Sequence, residues 1–318
     1  MSSISPEVAR PQAQGDVQIP PVQPQQVFAG LLELMEVEPD LFEAPSDNIG
    51  TPNIFGGQVL GQALSAAYRT LPAGKVVHSM HAYFLASGEH RPIRYAVERV
   101  RDGKSYAARR VKASQGDTTL FEAMISAQEP EEGLDYQVDV PNVAGPDGLQ
   151  SEFEYRQATK HLWPSLLSEL ALVPRGIEYR KLRTQDILNP TPYEGTSYAW
   201  LRTLEPLPDT PAAHHAFLAY ASDHGPLLAA IAPYDLSLVR GDVRLASLDH
   251  AIWFHRDFRL DDWILYEVDC TNISGGRAIS KGRFYQDGKL VASVVQEGLM
   301  RVRKPLDTVS RIDKVAKA

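Results

Sequence analysis

Two hydrophobic periods alternate along this chain. From Phe55 to Tyr68 the apolar residues recur at helical spacing, and Leu71-Pro72-Ala73-Gly74 ends the run. Four segments follow in which apolar and polar residues alternate, as they do along half-buried strands: Val76 to Leu85, Ile93 to Arg101, Tyr106 to Ser114 and Thr119 to Gln128. Asp102-Gly103 marks a tight turn between two of them. Before the helix, Val27 to Met35 reads as a short amphipathic helix and Leu41 to Ala44 as a strand. After the strands, Glu129 to Leu149 turns acidic and rich in Pro and Gly, the composition of a linker. A further helix is expected across Glu154 to Leu172, interrupted near Pro164.

The order then repeats. Strand patterns at Ile177–Leu182 and Tyr198–Leu204 precede a helix from about Pro211 to Tyr220, which continues or restarts after Gly225. Strands return at Ala246–His255, Trp263–Thr271, Ala278–Tyr285 and Leu290–Met300. Local similarity accompanies the order: His81-Ala82-Tyr83-Phe84 parallels His250-Ala251-Ile252-Trp253, and Ala127-Gln128-Glu129 parallels Val295-Gln296-Glu297. A helix followed by long antiparallel strands buries its apolar side by having the sheet wrap around it. Gly57 and Gly61, one helical turn apart, permit close backbone approach. The expected architecture is α+β, two such units side by side with fused sheets. They span 27–130 and 175–303, joined by a linker with a helix over 131–174, with tails at 1–26 (disordered) and 304–318.

Composition narrows the function classes. The 318 residues carry a formal charge of −8, which argues against a nucleic-acid partner, since such a protein displaces counterions with a basic surface. The single cysteine, Cys270, lies in an apolar strand pattern and reads as packing; it leaves no disulfide and no Cys-rich zinc site. The histidines show no His-x-x-x-His helix spacing, so no metal is expected. No apolar run approaches the roughly 20 residues of a membrane span. The N-terminus lacks the features of a signal peptide and the chain does not end in Ser-Lys-Leu, so the expected compartment is the cytoplasm.

Phe55-Gly56-Gly57-Gln58-Val59-Leu60-Gly61-Gln62-Ala63 resembles the acyl-CoA thioesterase II (TesB-like) family. The resemblance continues through His78 to Leu85, Arg101 to Val111, Tyr220 to Asp223, Leu248 to His255 and Val291 to Arg301, covering roughly residues 27–303 in order. It implies a tandem (double) hotdog fold that hydrolyses fatty acyl-CoA of medium to long chain to free acid and CoA without a cofactor. It also implies a catalytic trio, which falls by motif on Asp223, Ser247 and Gln296. The middle position is often Thr in such proteins; Ser keeps the hydroxyl but not the methyl that restricts its rotamer. That fold's habits also imply a homo-oligomer, a dimer or tetramer.

The chemistry suits those residue types. A thioester carbonyl is already activated, so hydrolysis needs a positioned water, a base, and donors for the oxyanion. Asp223 is expected as base, with Ser247 and Gln296 orienting the water. Taken alone, Asp223 reads first as a cap for the helix after Gly225, and only the resemblance turns it towards the site. His78, His81, His250 and His255 read as orienting or core groups, His78 having the strongest claim to the site. For the substrate, His78 and Gly57 are candidate contacts, and Arg101, Lys104, Arg109 and Arg110 form a basic cluster around one hairpin that reads either as a clamp for the CoA phosphates or as a solvated hairpin. Two other readings stand beside this one. Asp209 and His214, five apart before a helix, have the spacing used by hotdog enoyl-CoA hydratases but lack the usual Asn-Pro. A non-catalytic acyl-CoA binding or sensing protein is the third. An α/β-hydrolase is excluded because no Gly-x-Ser-x-Gly elbow occurs.

Overall fold

The alternating segments pair into one antiparallel sheet against which the two apolar helices pack. In the computed structural model of the protein, residues 33–163, 176–305 and 309 are described. The strands are β1 (Met35–Glu38), β2 (Leu41–Ala44), β3 (Val76–Phe84), β4 (Ile93–Asp102), β5 (Tyr106–Gln115), β6 (Thr118–Gln128), β7 (Ile177–Lys181), β8 (Ser197–Thr203), β9 (Val243–Ser247), β10 (Asp249–Phe254), β11 (Ile264–Ser274), β12 (Arg277–Gln286) and β13 (Lys289–Val302). The helices are α1 (Gly56–Tyr68), α2 (Glu152–Thr159), α3 (Pro211–Ser222) and α4 (Pro226–Ile231). Met35 opens a strand, so the helix expected over Val27–Met35 does not reach it; the rest of that segment lies outside the described residues, as do the 1–26 tail and most of 304–318. The linker helix begins at Glu152, where Ser151 and Glu154 form a reciprocal capping box, and ends in a 3-10 turn at Lys160–Leu162.

The sheet order is β1-β2-β4-β5-β6-β3-β10-β13-β12-β11-β8-β7, with β9 pairing β13 beside β10. Read from the β3–β10 seam outwards, the same strand order recurs on both sides, and the seam is itself an antiparallel ladder from Asp249↔Tyr83 to Trp253↔Ser79. The strand expected over Ala246–His255 is divided at Leu248, whose N–H bonds the Glu297 carbonyl. Most inward positions along both sides are apolar, and Leu60, Ala63, Leu64, Ala216, Leu218 and Ala219 of the helices are fully enclosed. The sequence parallels at the seam are displaced by one residue, and in a strand that reverses the face. His250 is fully buried whereas His81 is exposed, and Gln296 points inward whereas Gln128 does not.

The two helices lie side by side, the start of α1 against the end of α3 and Tyr68 Oη 2.7 Å from His215 Nδ1 at the other end, and Gly57 permits the approach. A β-carbon at Gly57 would lie 2.3 Å from the Tyr220 carbonyl oxygen of α3. No other residue fits there without separating α1 from α3.

Strand alternation also corrects part of the basic cluster. Arg109 is fully buried, unlike the exposed Arg110 beside it. Its guanidinium spends all five donors inside the protein: on Thr70 Oγ1 and O, on the Arg101 and Ala108 carbonyls, and on Asp102 Oδ1 at 2.7 Å. Arg109 therefore holds the end of α1 to the β4–β5 hairpin and offers nothing to a phosphate. Arg109→Ala is expected to lower stability by roughly 3 kcal/mol in denaturant unfolding, because it strands these acceptors. The KM for acyl-CoA in the surviving fold should stay at the wild-type value.

Candidate active site

Asp223, Ser247 and Gln296 come from three separate elements and meet. Asp223 terminates α3 as its C-cap, Ser247 ends β9, and Gln296 points inward from β13. Ser247 Oγ donates to Asp223 Oδ1 at 3.0 Å. Gln296 Nε2 donates to the same oxygen at 2.8 Å and to Ser247 Oγ at 2.7 Å. The ring is self-consistent: the amide spends both protons, the hydroxyl accepts one and donates one, and Oδ1 accepts two. Oδ2 is left facing the start of α1, 2.8 Å from where a Gly56 β-carbon would stand. The Gly57 N–H also donates to this carboxylate.

Asp223 thus does not cap the helix that follows it; the N-cap of α4 is Gly225. Its carboxylate lies instead at the positive end of α1, an element of the other half. Burial pushes its pKa up to about 6, against the opposing pull of Ser247, Gln296 and the Gly57 N–H. Such a group is ionised at neutral pH yet basic enough to take a proton.

Behind the trio stands a second layer. Gln296 Oε1 can only accept, so His250, 2.8 Å away, must carry its proton on Nδ1. Its Nε2 is then the acceptor, facing the Ser222 hydroxyl at 2.9 Å, whose single proton is shared between that nitrogen and the Ala219 carbonyl at 2.8 Å. Burial depresses the His250 pKa to about 4, so the ring is neutral and fixes which way the Gln296 amide points. Without that ring, the amide could present its oxygen to the carboxylate and repel it. His250 is the histidine that touches the trio, through Gln296.

The trio opens onto a cavity of about 1110 Å³ whose wall includes Asp223 and Ser247. On its linker side Glu152 is shared by three groups: His224 Nε2 at 3.1 Å, Lys181 Nζ at 3.6 Å and Arg156 at 3.6 Å. These cations and the His224 hydrogen bond hold the Glu152 carboxyl well below the usual carboxylate range despite its burial. His224 packs against Tyr179 with ring centroids 4.5 Å apart and the planes tilted by 37°. Glu152 therefore anchors the linker helix to the residue next to Asp223. Sequence reading gave it no role, because it falls among linker residues with no periodic context.

The remaining expected contacts fall outside the cavity. His78, next to a bulge in β3, bonds Ser126 Oγ at 2.8 Å and meets the edge of the Tyr106 ring, and it is not part of the wall. Arg101, Lys104 and Arg110 do not line it either, and Arg110 is paired with Glu98. Gly57 acts through its N–H on Asp223, while Gly56 forms the wall. The hydratase pair is not assembled: Asp209 is exposed on Arg259, and buried His214 accepts from the Leu260 N–H. Among the described residues, no three His, Cys, Asp or Glu side chains group as metal ligands, and no helix is long and apolar enough to cross a membrane.

Residues 177–299 match the family model described as acyl-CoA thioesterase, and residues 42–128 match the acyl-CoA thioesterase N-terminal domain. The chain is 37% identical to acyl-CoA thioesterase 2 of Haemophilus influenzae over 273 residues, 85% of this chain and 96% of that protein. The chain belongs to the acyl-CoA thioesterase II family. Human acyl-coenzyme A thioesterase 8 is 31% identical over 86% of this chain and 88% of its own length. Among solved structures, acyl-CoA thioesterase II TesB2 of Mycobacterium marinum superposes with a TM-score of 0.70 at 35% identity, covering 88% of this chain and all of that one. The tandem hotdog expected from the sequence is the fold this family shares.

Proposed function

We propose that this acyl-CoA thioesterase hydrolyses medium- to long-chain fatty acyl-CoA by direct attack of water, with Asp223 as the base. The observation that carries the reading is the closed Asp223–Ser247–Gln296 ring, facing a cavity large enough for an acyl thioester. Water attacks the thioester carbonyl carbon while Asp223 takes one of its protons. Ser247 and Gln296 hold the carboxylate in one orientation and steer the water. With the Gly57 N–H given to Asp223 and the Gln58 N–H to the Phe55 carbonyl, the first-turn donor assigned to the developing oxyanion is the Gly56 N–H at the start of α1. The tetrahedral adduct then collapses, expelling the CoA thiolate, which recovers the proton from Asp223. The products are the fatty acid and CoA thiol, and no bond to the enzyme forms.

The test is release of CoA thiol from straight-chain acyl-CoAs of graded length. Turnover on medium and long chains is the expected result; a purified, folded enzyme that binds acyl-CoA without releasing thiol would instead be a binding or sensing protein.

A pH dependence follows from the base. Asp223 must be ionised to act and its pKa is raised to about 6, so kcat/KM should fall about tenfold per pH unit below that value and level off above it. A profile that stays flat down to pH 4.5 would assign the base elsewhere.

The same proposal includes the units at 27–130 and 175–303. Exposed Tyr83, Leu134 and Tyr136 support a homo-oligomer, a dimer or tetramer. The unpaired thiol of Cys270 suits the reducing cytoplasm.

A further inference from the structure

The cavity wall is divided by charge. Every residue the first half contributes, from Ile49 to Phe121, is uncharged. All the charged residues of the wall, among them Glu152, Arg156, Lys181, Arg183 and Asp223, come from the linker and the second half. A fatty acyl-CoA is divided in the same way, with an apolar tail on one side of the thioester and a nucleotide bearing phosphates on the other.

Contacts trace the uncharged side outward from the carboxylate. The point where a Gly56 β-carbon would stand is 2.8 Å from Asp223 Oδ2 and 3.0 Å from the edge of the Phe84 ring. Phe84 packs on Phe121, with centroids 5.5 Å apart. Leu120, next in β6, meets Gly88: a β-carbon there would stand 2.9 Å from Leu120 Cδ1 and 2.7 Å from Ile54 Cδ1. The Ile54 N–H is bonded to the Gly88 carbonyl at 3.0 Å, and the Leu120 carbonyl accepts from the Leu85 and Ala86 N–H groups at 2.8 and 3.3 Å.

We infer that the acyl chain lies along this first-half arm, over Phe84 and Phe121, and that Gly88 sets the accepted chain length by letting Ile54 and Leu120 lie back from it. The inference rests on the hydrolase reading above and adds to it a direction for the substrate. Gly88 does not use a positive φ, so a larger residue is not barred by its backbone. Its neighbours are the ends of flexible side chains, and the space open to them is the cavity they line. A side chain at Gly88 would therefore push Ile54 and Leu120 into the arm. Each methylene of substrate excluded from apolar contact costs about fourfold in kcat/KM.

The experiment measures kcat/KM over acyl-CoAs of graded length for wild type, Gly88→Val and Leu120→Ala. Gly88→Val is expected to lower the long-to-short ratio by about tenfold or more, and Leu120→Ala to raise it by several-fold. Profiles that are scaled copies of wild type in both variants would overturn the inference. If Gly88→Val does not fold, Leu120→Ala decides alone: a shift towards longer chains supports the arm and no shift removes it. A wild-type enzyme that releases no thiol at any length overturns the hydrolase reading itself, which is a distinct result.

Discussion

Asp223→Asn should lower kcat for acyl-CoA hydrolysis by roughly 10²–10⁴-fold, the range of a lost general base. The substitution keeps shape and an oxygen that can still accept from Ser247 Oγ and Gln296 Nε2. It removes the only carboxylate in the ring. Substrate affinity should change little, since Asp223 makes its contribution to proton transfer. Stability supplies a control with a definite sign. Asp223 has a folded pKa of about 6, raised from a usual value of 3.8, so its contribution is complete below pH 3.8 and is lost as pH rises through 6. The variant has no such loss. Its melting temperature relative to wild type should therefore climb between about pH 4 and pH 6.5 and level off above that. An inactive variant whose relative stability does not move with pH would mean that Asp223 is not the strained, buried base described here.

Gly57→Ala carries the second large effect. A β-carbon at that position would lie 2.3 Å from the Tyr220 carbonyl oxygen and 2.4 Å from the Phe55 ring. The carbonyl is backbone and cannot rotate away, so α1 and α3 must separate. Overpacking of this kind costs about 1–3 kcal/mol. The same shift moves the Gly57 N–H that donates to Asp223, together with the Gly56 N–H beside it. A displacement near 1 Å at reacting groups costs about 100-fold in rate. Gly57→Ala is thus expected to lose both stability and kcat, whereas changes at Gly74, whose β-carbon would meet nothing within 4 Å, should leave kcat alone. Chemical denaturation and steady-state kinetics on the two variants separate these outcomes.

How legible this was differed between fold and site. The strands from Val76 to Gln128 and the helix at Gly56–Tyr68 were readable because their periodicity is carried by side chains on one buried face. The one-residue displacement of the seam repeat was not, since matching letters such as His81 and His250 cannot report which face a strand presents. The trio was legible only through family resemblance. Its members sit at a helix end and on two strands, 24 and 49 residues apart along the chain. Their approach is created by sheet pairing, with Ser247 opposite Gly298, and no spacing rule encodes it. Arg109 was the opposite case. Its position next to Arg110 on a strand already placed the two on opposite faces, and that alternation outweighs the appeal of a basic cluster. Glu152 left no signal, because its meaning comes from His224 and Lys181, both supplied from the second half.

Direct attack by water is tested most sharply by rapid-quench kinetics with wild-type enzyme in excess over acyl-CoA. CoA thiol and free fatty acid should appear together with a single rate constant, and intact-protein mass spectrometry of quenched samples should show no acyl group on the chain. Thiol released ahead of acid, with the missing acyl group found on the protein, would contradict Asp223 acting as a base on water.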